Sequence, residues 1–418
     1  MNTLPAEAEH RLRGSRCVAI VAVLAAMVLV VLDAAIANVA LPTIAQSLQV
    51  TPAMSIWIIT AYQTSLVMAL LPCAALGESI GYRKVFTAGV ALFVAASVLC
   101  AFAPSLPWLV AARFLQGFGG AGVMALGVAL LRAAVPPGQF GAAIGWNALA
   151  VALSSAAGPT LGAAIVAGVG WRWLFAINLP LGVFVLLTRR AIPEVSGTGR
   201  RLDRISVALN AGAFASLVMG AELLPSAPTW GATLIVAAGG SLIALVLRER
   251  GKEAPLIPLD LFRAGSFRIS VAASVLCFTG VAAALVALPF HFQHVGQSVW
   301  KTGLYMTPWP LTVAVAAPLA ARLAPRLSTA WLCAAGGGCL AVGLGAAAIW
   351  PLHGSFLPLT RIIMLCGLGF GLFQVPNNRS MFLSAPQSRS GAAGGMQGTA
   401  RLTGQMAGTL IMTLLFTT

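Results

Sequence analysis

The chain is poor in charged residues and has very few acids. Only 8% of its 418 residues are Asp, Glu, Lys or Arg, and ten of these are acidic. A soluble domain carries about 25% charged residues. The composition therefore excludes an ordinary soluble globular protein, and any acid within an apolar segment needs its own explanation.

Histidine and cysteine occur in no arrangement that carries chemistry. The four histidines belong to no catalytic or metal-ligand constellation, so we expect no enzyme, no metal site and no organic cofactor. The cysteines are scattered through apolar segments without ligand spacing, which is typical of small core residues. They are Cys17, Cys73, Cys100, Cys277, Cys333, Cys339 and Cys366.

Apolar residues are abundant: they make up 59% of the sequence, and the mean hydropathy is +0.92. A membrane-spanning helix needs about 20 apolar residues, so the sequence predicts an all-α integral membrane protein. The thirteen predicted spans are 17–41, 54–76, 85–103, 107–131, 141–168, 173–189, 205–224, 230–247, 267–290, 302–321, 329–350, 356–377 and 390–416.

The basic residues lie on one side of these spans. Of the 25 Lys and Arg residues, 20 fall in inner segments if the amino terminus is cytosolic, whereas the outer loops keep only Arg172 and Lys301. This bias predicts a multi-pass membrane protein with a cytosolic amino terminus. The basic balance then reflects topology and contact with anionic lipids, and no nucleic-acid partner is expected.

The spans fall into three blocks. Residues 1–190 hold six spans, 191–266 hold a linker with two further spans, and 267–418 hold five. The fourth span of each outer block places an arginine, Arg113 or Arg361, before a Gly-x-Gly pattern. Two related halves are typical of transporters whose substrate site lies between them near the midplane.

Asp33 lies inside the first apolar span. A carboxylate at that depth costs roughly 2.5 to 3.5 kcal/mol on insertion scales, so we expect it to bind something, most simply a proton. Arg113 lies at a comparable predicted depth in the fourth span. We expect a direct or water-bridged pair in which substrate or movement releases the carboxylate. A purely structural ion pair that locks two helices is the alternative.

Two further motifs are candidates for moving or closing elements. Gly158, Pro159 and Gly162 predict a bent helix with a small-residue face, suited to a gate or, equally, to ordinary close packing. Glu78, Gly81 and Arg83 form a tight cytosolic turn. Glu78 can pair with a basic residue of a neighbouring helix and hold the inward side shut, or the turn can simply be solvated.

Aromatic and amide side chains within the spans are candidates for a polyspecific cavity. Some of them can instead contact another helix or form part of an interfacial aromatic belt. The candidates are Asn38, Trp57, Tyr62, Gln63, Gln116, Trp146, Asn147, Trp309, Gln374 and Asn377.

Several motifs in order resemble the major facilitator superfamily, and in particular its fourteen-span drug:proton antiporters. They are the segment Leu32–Pro42, Trp57-x-x-Thr60-Ala61-Tyr62, Arg113-x-x-Gln116-Gly117-x-Gly119, Gly158-Pro159-x-x-Gly162, the segment Trp171–Gly182 and Gly398-Thr399-Ala400-Arg401-x-x-Gly404. The resemblance covers nearly the whole chain. It implies two six-helix-type bundles with two extra central helices, and the last span of that family is missing.

The resemblance also implies a function. The expected activity is proton-driven export of amphipathic, often cationic compounds by alternating access. Asp33 would be the proton and cation site, Arg113 its relay partner, and Gly158 with Pro159 the gating bend. The energy source would be the proton gradient, and the expected partners are a small amphipathic substrate, protons and lipids, with a monomeric protein. An exporter of one specific metabolite or siderophore is the first alternative, and a non-transporting membrane sensor or scaffold is the second.

Overall fold

The computed structural model describes residues 6–200, 202–224, 227–250, 252, 255–294, 305–349 and 356–417. Two predicted site residues, Asn38 and Pro159, lie in helices but their side chains are outside the described part.

Within the described ranges, each predicted span coincides with a helix. The ends mostly agree within a few residues, and the first helix extends beyond its predicted span at both ends. The helices are α1 Ala6–Ser47, α2 Trp57–Ile80, α3 Tyr82–Ala101, α4 Leu106–Ala134, α5 Phe140–Val169, α6 Asn178–Leu187, α7 Arg204–Leu223, α8 Pro228–Glu249, α9 Gly265–His294, α10 Pro308–Leu323, α11 Thr329–Ile349, α12 Phe356–Leu383 and α13 Ser390–Thr417.

Helices dominate because the hydrocarbon core offers no partner for backbone N–H and C=O groups, which a helix satisfies internally. Nine of the described helices are long and apolar enough to cross a membrane. Large apolar side chains face outward, as at Val236, Leu276 and Ile349, which are 74%, 74% and 85% exposed. This surface is suited to lipid.

The chain divides into two compact units. Unit 1 comprises Met1–Ala143, Ala157–Ala211 and Ser388–Gly395, and unit 2 comprises Ile144–Ala156, Gly212–Gln387 and Met396–Thr418. Helices α5, α7 and α13 thus each contribute residues to both units. The boundaries predicted at residues 190 and 266 stay predictions.

Glycines bring the fourth helix of each outer block against the second and third. A Cβ at Gly117 of α4 would lie 2.4 Å from the carbonyl oxygen of Tyr62 in α2. A Cβ at Gly119 would lie 2.7 Å from the carbonyl oxygen of Gly89 in α3. Any side chain at these positions would push the helices apart.

The same packing recurs in unit 2. A Cβ at Gly367 of α12 would lie 2.4 Å from the carbonyl oxygen of Trp309 in α10, and one at Gly369 would lie 2.6 Å from that of Gly336 in α11. The repeat inferred from the two Gly-x-Gly patterns is therefore visible in the helix contacts. It does not include the arginine, because Arg361 is exposed whereas Arg113 is buried.

A buried asparagine attaches α7 to α2. Pro72 lies inside α2 and has no N–H, so it cannot donate to the carbonyl oxygen of Met68 four residues earlier. Asn210 of α7 is 1% exposed, and its Nδ2 donates to that oxygen at 2.8 Å. An amide from one helix thus supplies the hydrogen bond that proline removes from another.

We predict that Asn210→Leu lowers the free energy of unfolding by about 1 to 3 kcal/mol, because it leaves the Met68 carbonyl without its donor. In the Pro72→Ala background the same change should cost much less, since the backbone N–H of the introduced alanine can donate the missing helical hydrogen bond. Thermal unfolding of the four proteins in detergent measures this coupling. Equal losses in both backgrounds would show that Asn210 acts in another way.

Candidate functional site

The carboxylate of Asp33 and the guanidinium of Arg113 are in direct contact inside unit 1. Asp33 is 2% exposed and Arg113 is 1% exposed, and Arg113 Nη1 lies 2.5 Å from Asp33 Oδ2. The pair joins α1 to α4. Both charges are removed from solvent, so their mutual attraction and the surrounding hydrogen bonds must offset a large desolvation cost.

Two amide groups complete the surroundings of Asp33. Gln116 of α4 donates through Nε2 to Asp33 Oδ1 at 3.1 Å. Asn178, the first residue of α6, donates through Nδ2 to the same oxygen at 2.6 Å. Hydrogen bonds to an ionised acceptor are among the stronger ones in proteins. Donors from Arg113, Gln116 and Asn178 thus surround the Asp33 carboxylate.

Ser97 of α3 is hydrogen-bonded to the side-chain amides of both Gln116 and Asn178. Its Oγ accepts from Gln116 Nε2 at 2.8 Å and from Asn178 Nδ2 at 3.3 Å. Its hydroxyl is also 2.8 Å from the carbonyl oxygen of Phe93, to which it donates. Four helices, α1, α3, α4 and α6, thus meet at a single polar cluster.

Arg113 is fixed by contacts beyond its ion pair. Its Nη1 donates to Gln116 Oε1 at 2.6 Å, and its Nε donates to the carbonyl oxygen of Ile58 at 3.3 Å. The guanidinium carbon lies 4.2 Å from the ring centroid of Tyr62 and 5.7 Å from that of Phe175. These contacts hold the guanidinium plane in one orientation.

An apolar cluster separates the polar site from one end of unit 1. It comprises residues that follow Asp33 in α1, the neighbouring ends of α2, α3 and α4, and the segment before α6. Its buried members are Ile36, Ala40, Ile44, Ile58, Cys100, Ala103, Leu106, Leu109, Ala112, Trp171, Leu174 and Phe175. Buried apolar residues thus flank the polar site on this side.

The turn between α2 and α3 contains a second buried acid. Glu78 is 8% exposed, forms an ion pair with Arg389, and accepts from the backbone N–H of Ala392 at 2.7 Å. Arg389 lies immediately before α13 and Ala392 in its first turn, both in the part that belongs to unit 1. A basic partner for Glu78 is therefore present, contributed by the residue that precedes the last helix.

The connector that follows α6 is hydrogen-bonded to this turn, an arrangement that we call the clasp. We call residues 192–200 the connector strap. The backbone N–H of Thr198 donates to the Glu78 carbonyl and that of Gly199 to the Ser79 carbonyl, both at 2.9 Å. Arg83 also forms a 2.5 Å ion pair with Glu194.

Glycine is required at two places in this clasp. Gly81 has a φ of 108°, which disfavours any side chain. A Cβ at Gly197 would lie 2.1 Å from the carbonyl oxygen of Ser79. The strap can therefore approach the turn only because position 197 has no side chain.

Helix α5 approaches α1 closely beside Asp33. A Cβ at Gly158 would lie 2.4 Å from the Cβ of Ala35, and one at Gly162 would lie 3.3 Å from the carbonyl oxygen of Ile36. The small-residue face predicted for α5 is thus directed at α1. Its role as a gate stays a prediction.

The candidate cavity residues occupy different environments. The ring of Tyr62 packs against the Arg113 guanidinium. Trp309 is 4% exposed and belongs to an apolar cluster of unit 2. Asn377 donates through Nδ2 to Ser274 Oγ at 2.8 Å and to the Ser270 carbonyl at 3.1 Å.

The remaining candidates differ in exposure. Trp57, Gln63 and Trp146 are exposed, Asn147 is buried and Gln374 is partly buried. A substrate role for these residues stays a prediction.

Asp33, Arg113 and Gln116 were predicted as site residues from the sequence, whereas Ser97 and Asn178 were not. A signal for Asn178 was available, since it is a polar residue within one of the quoted motifs, Trp171–Gly182. Ser97 gave no such signal, because a serine in an apolar helix commonly bonds its own backbone.

Comparisons with known proteins agree on one family. A sequence profile described as Major Facilitator Superfamily matches residues 23–409. The uncharacterized transporter YebQ of Escherichia coli K12 is 42% identical over 408 residues, 95% of this chain and 88% of that protein. The tetracenomycin C resistance and export protein of Streptomyces glaucescens is 32% identical over 422 residues, 97% of this chain and 76% of that protein.

A solved structure shows the same fold. The proton:xylose symporter XylE bound to 6-bromo-6-deoxy-D-glucose superposes with a TM-score of 0.69 at 15% identity, and the match covers 97% of this chain and 90% of that one. At this identity the likeness shows the fold alone.

We predict that Gly197→Val detaches the connector strap, because its side chain would overlap the Ser79 carbonyl. Amide hydrogen exchange at Thr198 and Gly199 should become at least tenfold faster. Gly168→Val is a matched control, since a Cβ there meets nothing within 4 Å. Unchanged exchange in Gly197→Val would contradict the clasp.

Proposed function

Because the chain belongs to the major facilitator superfamily and is a multi-pass membrane transporter, we propose that it is a proton-coupled exporter of amphipathic, cationic compounds. The observation that carries this proposal is the buried Asp33, placed within a membrane span and surrounded by donors from two other helices, α4 and α6. A helix that only crossed the bilayer would not contain such a group. The fold class predicted from the sequence, an all-helical major facilitator fold, is the one observed.

The chemistry of the ion pair supports proton coupling. In its ionised form Asp33 is attracted by Arg113 and joins α1 to α4. A proton on Asp33 removes the negative charge and weakens that attraction, so the stability of this arrangement depends on the protonation state. A ligand or proton that favours one arrangement over another shifts the population between them. Asp33 is therefore the proposed coupling site and Arg113 the proposed relay partner.

The substrate class rests on resemblance. One relative, the tetracenomycin C protein, is described as a resistance and export protein, and the motifs and the extra helices α7 and α8 resemble fourteen-span drug:proton antiporters. The chain has only ten acidic residues in total. A cavity poor in carboxylates favours monovalent, lipophilic cations over divalent ones.

We further propose residence in the bacterial inner membrane, with the amino terminus in the cytosol. In this orientation the α2–α3 turn and its Glu78–Arg389 ion pair lie on the cytosolic side, where the pair would stabilise a closed inner end of unit 1. The proton gradient would supply the energy, and the protein would act as a monomer without metal or organic cofactor.

Export of one specific metabolite or siderophore is the competing function. Competition assays discriminate between the two: inhibition of transport by several unrelated cations supports the broad exporter, and inhibition by a single chemical class supports the specific one. Membership of a transporter family does not favour the remaining alternative, a sensor or scaffold.

We predict that Asp33→Asn abolishes proton-coupled efflux while leaving membrane insertion intact. Purified protein in detergent should release protons when tetraphenylphosphonium is added, and Asp33→Asn should release none. In proteoliposomes, efflux driven by a pH gradient should fall at least a hundredfold. Normal proton-driven efflux by Asp33→Asn would overturn the assignment of the coupling site.

We predict that Arg113→Ala impairs both stability and transport, because it leaves a buried carboxylate unpaired at a cost of about 3 to 5 kcal/mol. The double variant Asp33→Asn with Arg113→Ala should regain much of the thermal stability and none of the transport. Thermal unfolding and efflux assays on the same preparations separate the two effects. Unchanged efflux in Arg113→Ala would leave Arg113 with a structural role only.

A further inference from the structure

Among the described residues, every hydrogen bond to the Asp33 carboxylate comes from an N–H group. Arg113 donates to Oδ2, and Gln116 and Asn178 donate to Oδ1. This set is matched to an ionised carboxylate. A protonated Asp33 has an O–H that must donate, so at least one of the three neighbours has to present an acceptor instead.

Two of the three neighbours, Arg113 and Gln116, cannot easily present an acceptor to protonated Asp33. A guanidinium has no acceptor atom, which excludes Arg113. Gln116 has an amide oxygen, but this oxygen already accepts from Arg113 Nη1 at 2.6 Å. Rotation of the Gln116 amide would direct an NH₂ group at the guanidinium and lose that bond.

Asn178, by contrast, can present an acceptor to protonated Asp33. Its Nδ2 contacts Asp33 Oδ1 at 2.6 Å and Ser97 Oγ at 3.3 Å. If the Asn178 amide rotates by half a turn, its oxygen takes the place of Nδ2. That oxygen can then accept hydrogen bonds from protonated Asp33 and from Ser97. Ser97 can adapt, because a hydroxyl that now donates to the Phe93 carbonyl can rotate and donate to the amide oxygen instead.

We propose that Asn178 is the residue that senses the protonation of Asp33. It acts as a positioning residue, which holds the ionised carboxylate with its N–H and the protonated form with its amide oxygen. A proton from the medium binds Asp33 Oδ1, the Asn178 amide rotates, and the Ser97 hydroxyl turns towards it. No covalent bond other than the new O–H forms or breaks. This inference rests on the proposed proton-coupled function and adds a second residue to its site.

Because Asn178 begins α6, rotation of its amide affects the start of that helix. Asn178 is the first residue of α6, and the turn Trp173–Ala176 before it contains Phe175, whose ring centroid is 5.7 Å from the Arg113 guanidinium. A change in the amide therefore acts at the start of α6, next to the partner of Asp33. The other titratable groups at this place are Tyr62 of α2 and Cys100 of α3, and a phenol and a thiol titrate at higher pH than a carboxylic acid.

The first test is the pH profile of proton release induced by tetraphenylphosphonium. Asn178→Leu removes the shortest amide hydrogen bond to the ionised carboxylate, and charged hydrogen bonds outweigh neutral ones. The midpoint of the profile should therefore move to higher pH, by roughly one unit. Asn178→Ser, whose hydroxyl can donate or accept, should restore part of this shift. Asn210→Leu is the matched control, since it loses a buried amide bond of similar length away from Asp33 and should leave the midpoint unchanged.

The second test detects the rotation itself. Infrared difference spectra between low and high pH, on protein containing isotope-labelled asparagine, should show a label-sensitive amide C=O band. The band should be absent in Asn178→Leu and Asn178→Ser and present in Asn210→Leu.

Each outcome bears on one proposal. Proton release by the wild type, without this band and with an unshifted midpoint in both Asn178 variants, would overturn the role of Asn178 alone. No proton release by the wild type with any lipophilic cation would overturn the proposed function itself.

Discussion

The buried ion pair between Asp33 and Arg113 is the interaction on which the rest of unit 1 depends. A charge without a partner in a dry interior costs several kcal/mol, so the two side chains must stay together while both are ionised. This requirement fixes α4 against α1. The glycines of α4 serve the same requirement, because Gly117 and Gly119 let the helix approach α2 and α3 closely enough to place Arg113 and Gln116 at the carboxylate.

The second outer block repeats the packing without the charge. Gly367 and Gly369 of α12 contact α10 and α11 as their counterparts do in unit 1, yet Arg361 is exposed. One of the buried polar residues of this block is Asn377, which donates to a serine hydroxyl and a backbone carbonyl of α9. Neutral hydrogen bonds of this kind hold helices together and do not respond to a proton. The buried carboxylate–guanidinium pair therefore lies in one half of a repeated architecture.

One stretch of chain connects the ion pair to the α2–α3 turn. It begins at Asn178, which binds Asp33, continues through α6, and ends in the connector strap, whose backbone bonds to Glu78 and Ser79. Glu78 in turn holds the start of α13 through Arg389. Helix α6 has only ten residues, so Asn178 and the connector strap lie close to each other along the chain. The proposed sensor and the strap that bonds to the turn are thus parts of one continuous segment.

The sequence by itself determined the helices, because hydropathy over about 20 residues reports the requirement of the bilayer directly. It also identified Asp33 and Arg113, because a charge within an apolar span is visible without any structure. It did not show which groups Asn178, Ser97 or Asn210 contact. Polar uncharged side chains are tolerated in many spans, and what distinguishes these three is a distance to another helix. Only the tertiary structure decided which oxygen each amide reaches, since residues far apart in the chain meet through glycine-mediated packing.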